Sequence, residues 1–385
     1  MKITPFQAVI LAIFGVSLVG GLLVLATTKS KSAGTGVPVV IWGTLPSADF
    51  TSTIADVTAG QKGLKITYIE KRLETFDQDL LEAIAGGRGP DVIVLPQDLI
   101  LRHKDKLNPI SYETIPLREF KDSFIQEAEL FLNNSGVLAV PFAVDPLVMY
   151  WNRDLLSNAG ISKPPVTWDE FLTLAPKLTV KDKSSNILRS AVAMGEFRNI
   201  TNAKDIVSAL LLQTGNTIIS PINSDSFYLS SLTAPTLSII GAVNFYTDFA
   251  NPVKPNYSWN RALPNSRDLF SAGDLAFYFG FASESGKIRN KNPNLNFDLT
   301  YFPQPKGSSV LATFGKIWGL ALLRTSQNKV DAQNDIMLLT SPTILSRWSE
   351  VTSLPPVRRD LLSVNPTDPY QLIFYNSALR SRGWL

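Results

Sequence analysis

Hydrophobic and polar positions alternate along this chain in two distinct rhythms, and the first third shows both. Residues 37–42 form a short apolar run ending at Trp42, which reads as a buried strand, with a turn at Gly43. Ser47 is placed to cap a helix whose apolar positions Phe50, Ile54 and Val57 recur at helical spacing as far as Gly60. Residues 64–69 predict a second strand. Phe76, Leu80, Leu81 and Ile84 then predict an amphipathic helix stopped at Gly86, and residues 91–95 a third strand between Pro90 and Pro96. Strand and helix alternating at this spacing specify βαβ units and a mostly parallel sheet. Ligands bind such sheets beyond the carboxyl ends of the strands, which here carry Trp42 and Asp98.

The pattern then lengthens. Residues 137–152 are an extended apolar stretch broken by one carboxylate, Asp145, which is costly to bury unless it is hydrogen-bonded. Thr167 and Glu170 are spaced as a capping box, with Val166 placed to staple onto Phe171. Helical patterns follow near 203–212 and 237–250. Residues 270–280 read as a turn and a buried strand, 317–323 as a strand and 330–339 as a helix.

At the other end of the hydropathy scale, no charge occurs from Ile3 to Thr28, and the run is mostly apolar from Phe6 to Ala26, between Lys2 and the pair Lys29 and Lys31. About 20 helical residues at about 1.5 Å each match a bilayer core of about 30 Å. A membrane helix over 6–26 with the rest on the extracytoplasmic side is the expectation. A secretory signal cleaved after Ala26 is the competing reading, although the run exceeds the 7–15 residues of an ordinary signal core. Residues 1–31 are thus anchor or signal, and 32–37 a linker.

Composition narrows the functions. The 385 residues carry a net charge of +3, all of it supplied by Lys2, Lys29 and Lys31, so the remainder is balanced and offers no nucleic-acid surface. With no cysteine, disulfides, thiolate metal sites, catalytic thiols and a lipid-modified cysteine are excluded. His103, the single histidine, lies in a charged run and is expected in solvent, which leaves no histidine metal cluster and no histidine triad. No cofactor and no metal are expected.

Four stretches in order carry a resemblance: 89–93 with Gly89, Pro90 and Asp91; 141–171 with Tyr150, Trp151, Asn152 and the Thr167 cap; 270–276 with Gly273 and Asp274; and 315–342 ending in Ser341 and Pro342. Together they resemble the family 1 extracellular solute-binding proteins, the maltose-binding-like receptors of bacterial ABC importers, over roughly residues 38–380. The resemblance implies an α/β, two-lobed periplasmic-binding-protein-like fold of type II that closes by hinge bending. Its lobes would comprise 38–143 with 302–337 and 147–298 with 340–385.

It further implies a non-enzymatic receptor that binds a sugar or oligosaccharide in the interlobe cleft and serves ABC permease subunits. Asp98 and Asp145 fall where the family places ligand carboxylates, Phe281 where it often has a stacking tryptophan, and Arg358 near its cleft rim. Trp42, Trp318 and Trp259, the last in a polar loop, are the remaining candidates for ligand contact. The family also continues into a final helix where this chain has Gly383, Trp384 and Leu385, so a shortened chain is expected. A peptide, polyamine, phosphate ester or other polar solute as ligand, a sensory ectodomain and a two-carboxylate glycosidase are the alternatives, the last without a carboxylate pair at motif spacing.

Overall fold

The computed structural model describes residues 38–385 apart from 61–64, 217, 222–226, 229–234 and 309. The expected anchor and linker, residues 1–37, lie outside the described residues. Among the described residues no helix is long and apolar enough to cross a membrane.

The first lobe begins as its pattern dictates. Strands β1 (Val39–Gly43), β2 (Ile66–Glu70) and β3 (Val92–Pro96) alternate with helices α1 (Ser47–Gly60) and α2 (Phe76–Ala85). β1 lies between the other two and runs parallel to both. β2 is the sheet edge and is largely exposed, whereas β3 is buried along its whole length.

The long apolar stretch becomes β4 (Val140–Asn152), a single strand of 13 residues that serves two sets of neighbours. Further on come α3 (Trp168–Leu178), β5 (Ile187–Val192), α4 (Ala203–Gln213) and α5 (Leu237–Asp248). They are followed by α6 (Ser266–Ala272), β6 (Leu275–Phe281), α7 (Glu284–Lys291), β7 (Phe297–Thr300) and β8 (Thr313–Leu322). The capping box of α3 forms as its sequence specifies, but Val166 stays 58% exposed, so the apolar staple is not made. Gly273, at φ +95°, ends α6 in the left-handed region that glycine adopts without strain, and this turns the chain into β6.

The strands run in the order β2, β1, β3, β8, β4, β6, β5, with β7 also paired to β4. Val140 to Pro146 pair antiparallel with β8, and β8 pairs with β3, which completes the first sheet. From Leu147 onward β4 pairs with β6 and β7 instead. The change of partner falls at Asp145, Pro146 and Leu147. Pro146 has no N–H to donate, while its carbonyl accepts from Ala282 at 3.0 Å.

Two separate hydrophobic cores follow. The first packs Phe50, Phe142, Ile317 and Trp348 among its members; the second packs Tyr150, Trp168, Phe171, Phe277 and Phe279. This is the expected α/β two-lobed architecture. Towards the end of the chain come α8 (Lys329–Leu339), α9 (Pro342–Thr352), α10 (Pro369–Arg380) and the short strand β9 (Ser381–Arg382), which pairs with β8.

The expected lobe boundary at 340 differs from this packing. Ile344, Leu345 and Trp348 of α9 enter the first core beside α1, whereas Leu354 and Phe374 enter the second. The spacing of apolar residues on α9 shows which face is buried and carries no information about which lobe receives it.

Phe142 stands between Phe50 and Trp348, with ring centroids 5.5 and 4.9 Å away, and so joins β4, α1 and α9. Phe142→Ala is expected to destabilise the protein by about 3–5 kcal/mol, measured by urea unfolding.

Candidate ligand-binding cleft

Where β4 changes partners, charged groups gather in an otherwise apolar junction. Asp145 is buried and its Oδ1 accepts from the Ser283 backbone N–H at 3.1 Å. Burial pushes its pKa up to about 6, an effect opposed by the Ser283 hydrogen bonds, increased by the nearby Glu284 and lessened by Lys316. Lys316 faces Asp145 across the β4–β8 pairing. Its Nζ lies 4.0 Å from the Phe281 ring centroid and 3.6 Å from Oδ2 of Asp205, in the first turn of α4. Burial raises the Asp205 pKa, and Lys316 and Lys204 oppose it.

The turn after β6 is held from below. Asn202, just before α4, donates to Tyr278 Oη at 3.2 Å, to the Phe279 carbonyl at 3.1 Å and to Glu284 Oε1 at 2.8 Å. Glu284 also accepts from the Phe281 N–H at 3.0 Å and from Tyr278 at 2.6 Å. Tyr150 donates to the Phe281 carbonyl at 2.7 Å. Each buried polar group here has a partner, so the turn that faces Asp145 and Lys316 is fixed in place.

One contact between the lobes is made from residues far apart in sequence. Asp98 follows β3 in the first lobe, and its Oδ2 is 3.8 Å from Nζ of Lys204 in the second. The same ammonium lies 5.0 Å from the Trp384 ring centroid, and the Trp384 indole N–H donates to Ser208 Oγ at 2.9 Å. Lys204 and Ser208 are four residues apart and therefore share one face of α4. Behind Asp98, Gln97 is buried against β8, donating to the Gly315 carbonyl at 3.0 Å and accepting from the Ile317 N–H at 2.5 Å.

The candidates from sequence separate into groups. Asp98 stands at the interlobe contact with Lys204, and Asp145 at the change of partners in β4. Trp318, half-buried and two residues beyond Lys316 on β8, points to the same side as that lysine. Phe281 is buried in the second core beneath Lys316, with the Phe314 ring 6.5 Å away. Trp42 belongs to the first core, with Nζ of Lys71 3.9 Å from its ring centroid.

Arg358 is not brought to the hinge: it pairs with Asp360 at 3.0 Å and lies over the Phe124 ring at 5.5 Å. Trp259 is fully buried in the second core, its indole N–H donating to Asn199 at 3.0 Å. The polar residues that suggested a binding loop bond elsewhere, Ser258 to the Val192 carbonyl, Asn260 to Tyr257 and Arg261 to Glu196.

His103, expected in solvent, is buried too, with Nε2 2.7 Å from Asp77 Oδ1. Burial holds its pKa below the usual value despite that carboxylate. Among the described residues no group of three or more potential ligands could hold a metal ion. Sequence reading missed Lys204, Asp205, Lys316 and Trp384, none of which lies in a distinctive local motif.

Residues 47–342 match the bacterial extracellular solute-binding proteins, and the chain belongs to that family. It is therefore an extracytoplasmic solute-binding protein and not an enzyme. A probable ABC transporter-binding protein of Deinococcus radiodurans is 24% identical over 318 residues, covering 78% of this chain and 71% of the relative. Among solved structures, a cyclo/maltodextrin-binding protein complexed with maltotetraose shares the fold with a TM-score of 0.71 at 17% identity, over 92% of this chain and 88% of that one. UgpB from Mycobacterium tuberculosis in complex with glycerophosphocholine does so with a TM-score of 0.70 at 20% identity, over 90% and 87%.

The Asp145 environment fixes the sign of a pH effect. A carboxyl raised from 3.8 unfolded to about 6 folded contributes stability that is full below 3.8 and is lost as pH rises through 6. Relative to Asp145→Asn, the protein with Asp145 is expected to lose about 2–3 kcal/mol of unfolding free energy between pH 4 and pH 7. Urea titrations of both proteins across that range measure it.

Proposed function

We propose that this protein is the membrane-anchored receptor of an ABC importer for a sugar or oligosaccharide, which it binds between its lobes by hinge closure. Residues 6–26 are the tether, and a permease on the same membrane takes the released solute. The observation that carries the reading is the polar junction of Asp145, Lys316 and Asp205 beside Trp318, at the strands that cross between lobes. Hydroxyl groups need such donors and acceptors, and a sugar ring needs a flat apolar face beside them.

Asp98, Asp145, Trp318 and Trp384 are the proposed ligand contacts, with Trp42 and Phe281 behind them. Lys204 and Lys316 each stand within 4 Å of a carboxylate, so neither presents an uncompensated charge. That balance favours a neutral solute and supports the sugar reading, as does the maltotetraose carried by the structural neighbour. A polar solute bearing both charges is the second reading, favoured by the glycerophosphocholine in another neighbour and by the paired charges of both signs.

A carbohydrate panel tested by thermal shift and calorimetry discriminates them. A true ligand at about 100 times its Kd is expected to stabilise the protein by about 2.7 kcal/mol. Asp145→Ala and Trp384→Ala are each expected to weaken binding about tenfold or more. Neutral sugar binding should hardly respond to salt, whereas charged ligands should weaken steeply. A panel in which no neutral sugar shifts the transition overturns the sugar assignment.

A further inference from the structure

Two adjacent residues of opposite charge open α4, and each meets its opposite on a different element. Lys204 of the second lobe is 3.8 Å from Asp98 of the first, and Asp205 is 3.6 Å from Lys316 on the joining strand β8. One helical turn on, Ser208 takes the indole N–H of Trp384 at 2.9 Å. Trp384 packs on the second core while its neighbour Leu385 packs on the first. The Lys204 ammonium thus lies between a carboxylate of one lobe and an aromatic face that belongs to neither βαβ unit.

We infer that the amino-terminal face of α4 is the closure contact of the receptor, and that Lys204 is the positioning residue that engages Asp98 only when the lobes are together. The inference rests on the two-lobe closure stated above. Reciprocal signs make the contact selective: α4 presents cation then anion, and the opposing elements present anion and cation. A displacement along α4 by one residue sets either Lys204 towards Lys316 or Asp205 towards Asp98, according to its direction, so like charges penalise misaligned closure. Asp98 and Lys204 are about half exposed, with side-chain exposures of 55% and 47%. The pair is therefore worth little alone and biases an equilibrium without locking it.

The absence of cysteine from the sequence permits clean labelling for the test. Arg118 on the first lobe, with a 94% exposed side chain, and Val253 on the second, 87% exposed, are replaced by cysteine and carry a dye pair. Single-molecule energy transfer on the 385-residue chain in detergent then reads the ratio of closed to open molecules without any ligand. Asp98→Lys sets two ammonium groups against each other and leaves Lys204 over Trp384.

At about 10 mM salt Asp98→Lys is expected to lower the closed-to-open ratio about two- to fivefold. The loss should vanish near 1 M salt, where screening acts over about 3 Å. Adding Lys204→Glu to Asp98→Lys restores much of the ratio at low salt. An unchanged ratio in Asp98→Lys, or a loss equal at low and high salt, overturns the inference. Because no ligand enters the assay, failure of the carbohydrate panel leaves this result standing. Conversely, a receptor that closes on sugar but ignores the charge reversal refutes the α4 contact alone.

Discussion

One strand belongs to two sheets, and the rest of the molecule is arranged around that fact. β4 satisfies its first half with β8 and its second half with β6 and β7, since backbone groups buried on both faces must find partners along the whole length. A proline at the changeover removes one donor where neither ladder needs it. Each lobe keeps its own core, so the strand can bend at the junction without breaking either. The covalent link between the lobes is a consequence of the topology, and β4 carries it at the change of partners.

Placing charge at that junction has a thermodynamic cost that the neighbouring groups only partly offset. Asp145 has the backbone and side chain of Ser283 as donors and one lysine across the ladder, and its proton affinity stays raised. Glu284, by contrast, accepts from Asn202, Tyr278 and the Phe281 N–H and is embedded in a complete network. The two carboxylates differ in setting: one fixes the turn within a complete network, and the other sits at the change of strand partners with its proton affinity raised.

Much of the architecture was legible in the chain because it is encoded locally. The βαβ alternation, the capping box at Thr167 and the broken apolar run around Asp145 are short-range patterns with direct physical meaning. The misreadings have a common origin. His103 and Trp259 sit in polar stretches and are nevertheless buried, because Asp77 and Asn199, 26 and 60 residues away, supply their partners. Trp384 and Lys204 meet although they are 180 positions apart in the sequence, and α9 joins the first core although Leu354, just beyond it, joins the second. Local composition reports what a side chain tolerates; only the assembled fold reports what it meets.

The same topology governs the order in which the protein can fold. β3 finds its inner partner, β8, only after more than two hundred further residues, a separation mirrored by Gln97 reaching Gly315 from 218 positions away. Until that strand arrives, the first sheet is left with the inner edge of β3 unpaired, and loop closure over such a distance is slow. A nascent chain of this protein therefore remains without its first lobe until most of it has been made. For a member of an extracytoplasmic family, that delay is useful: the chain stays threadable while it is being exported and consolidates once its final third has followed.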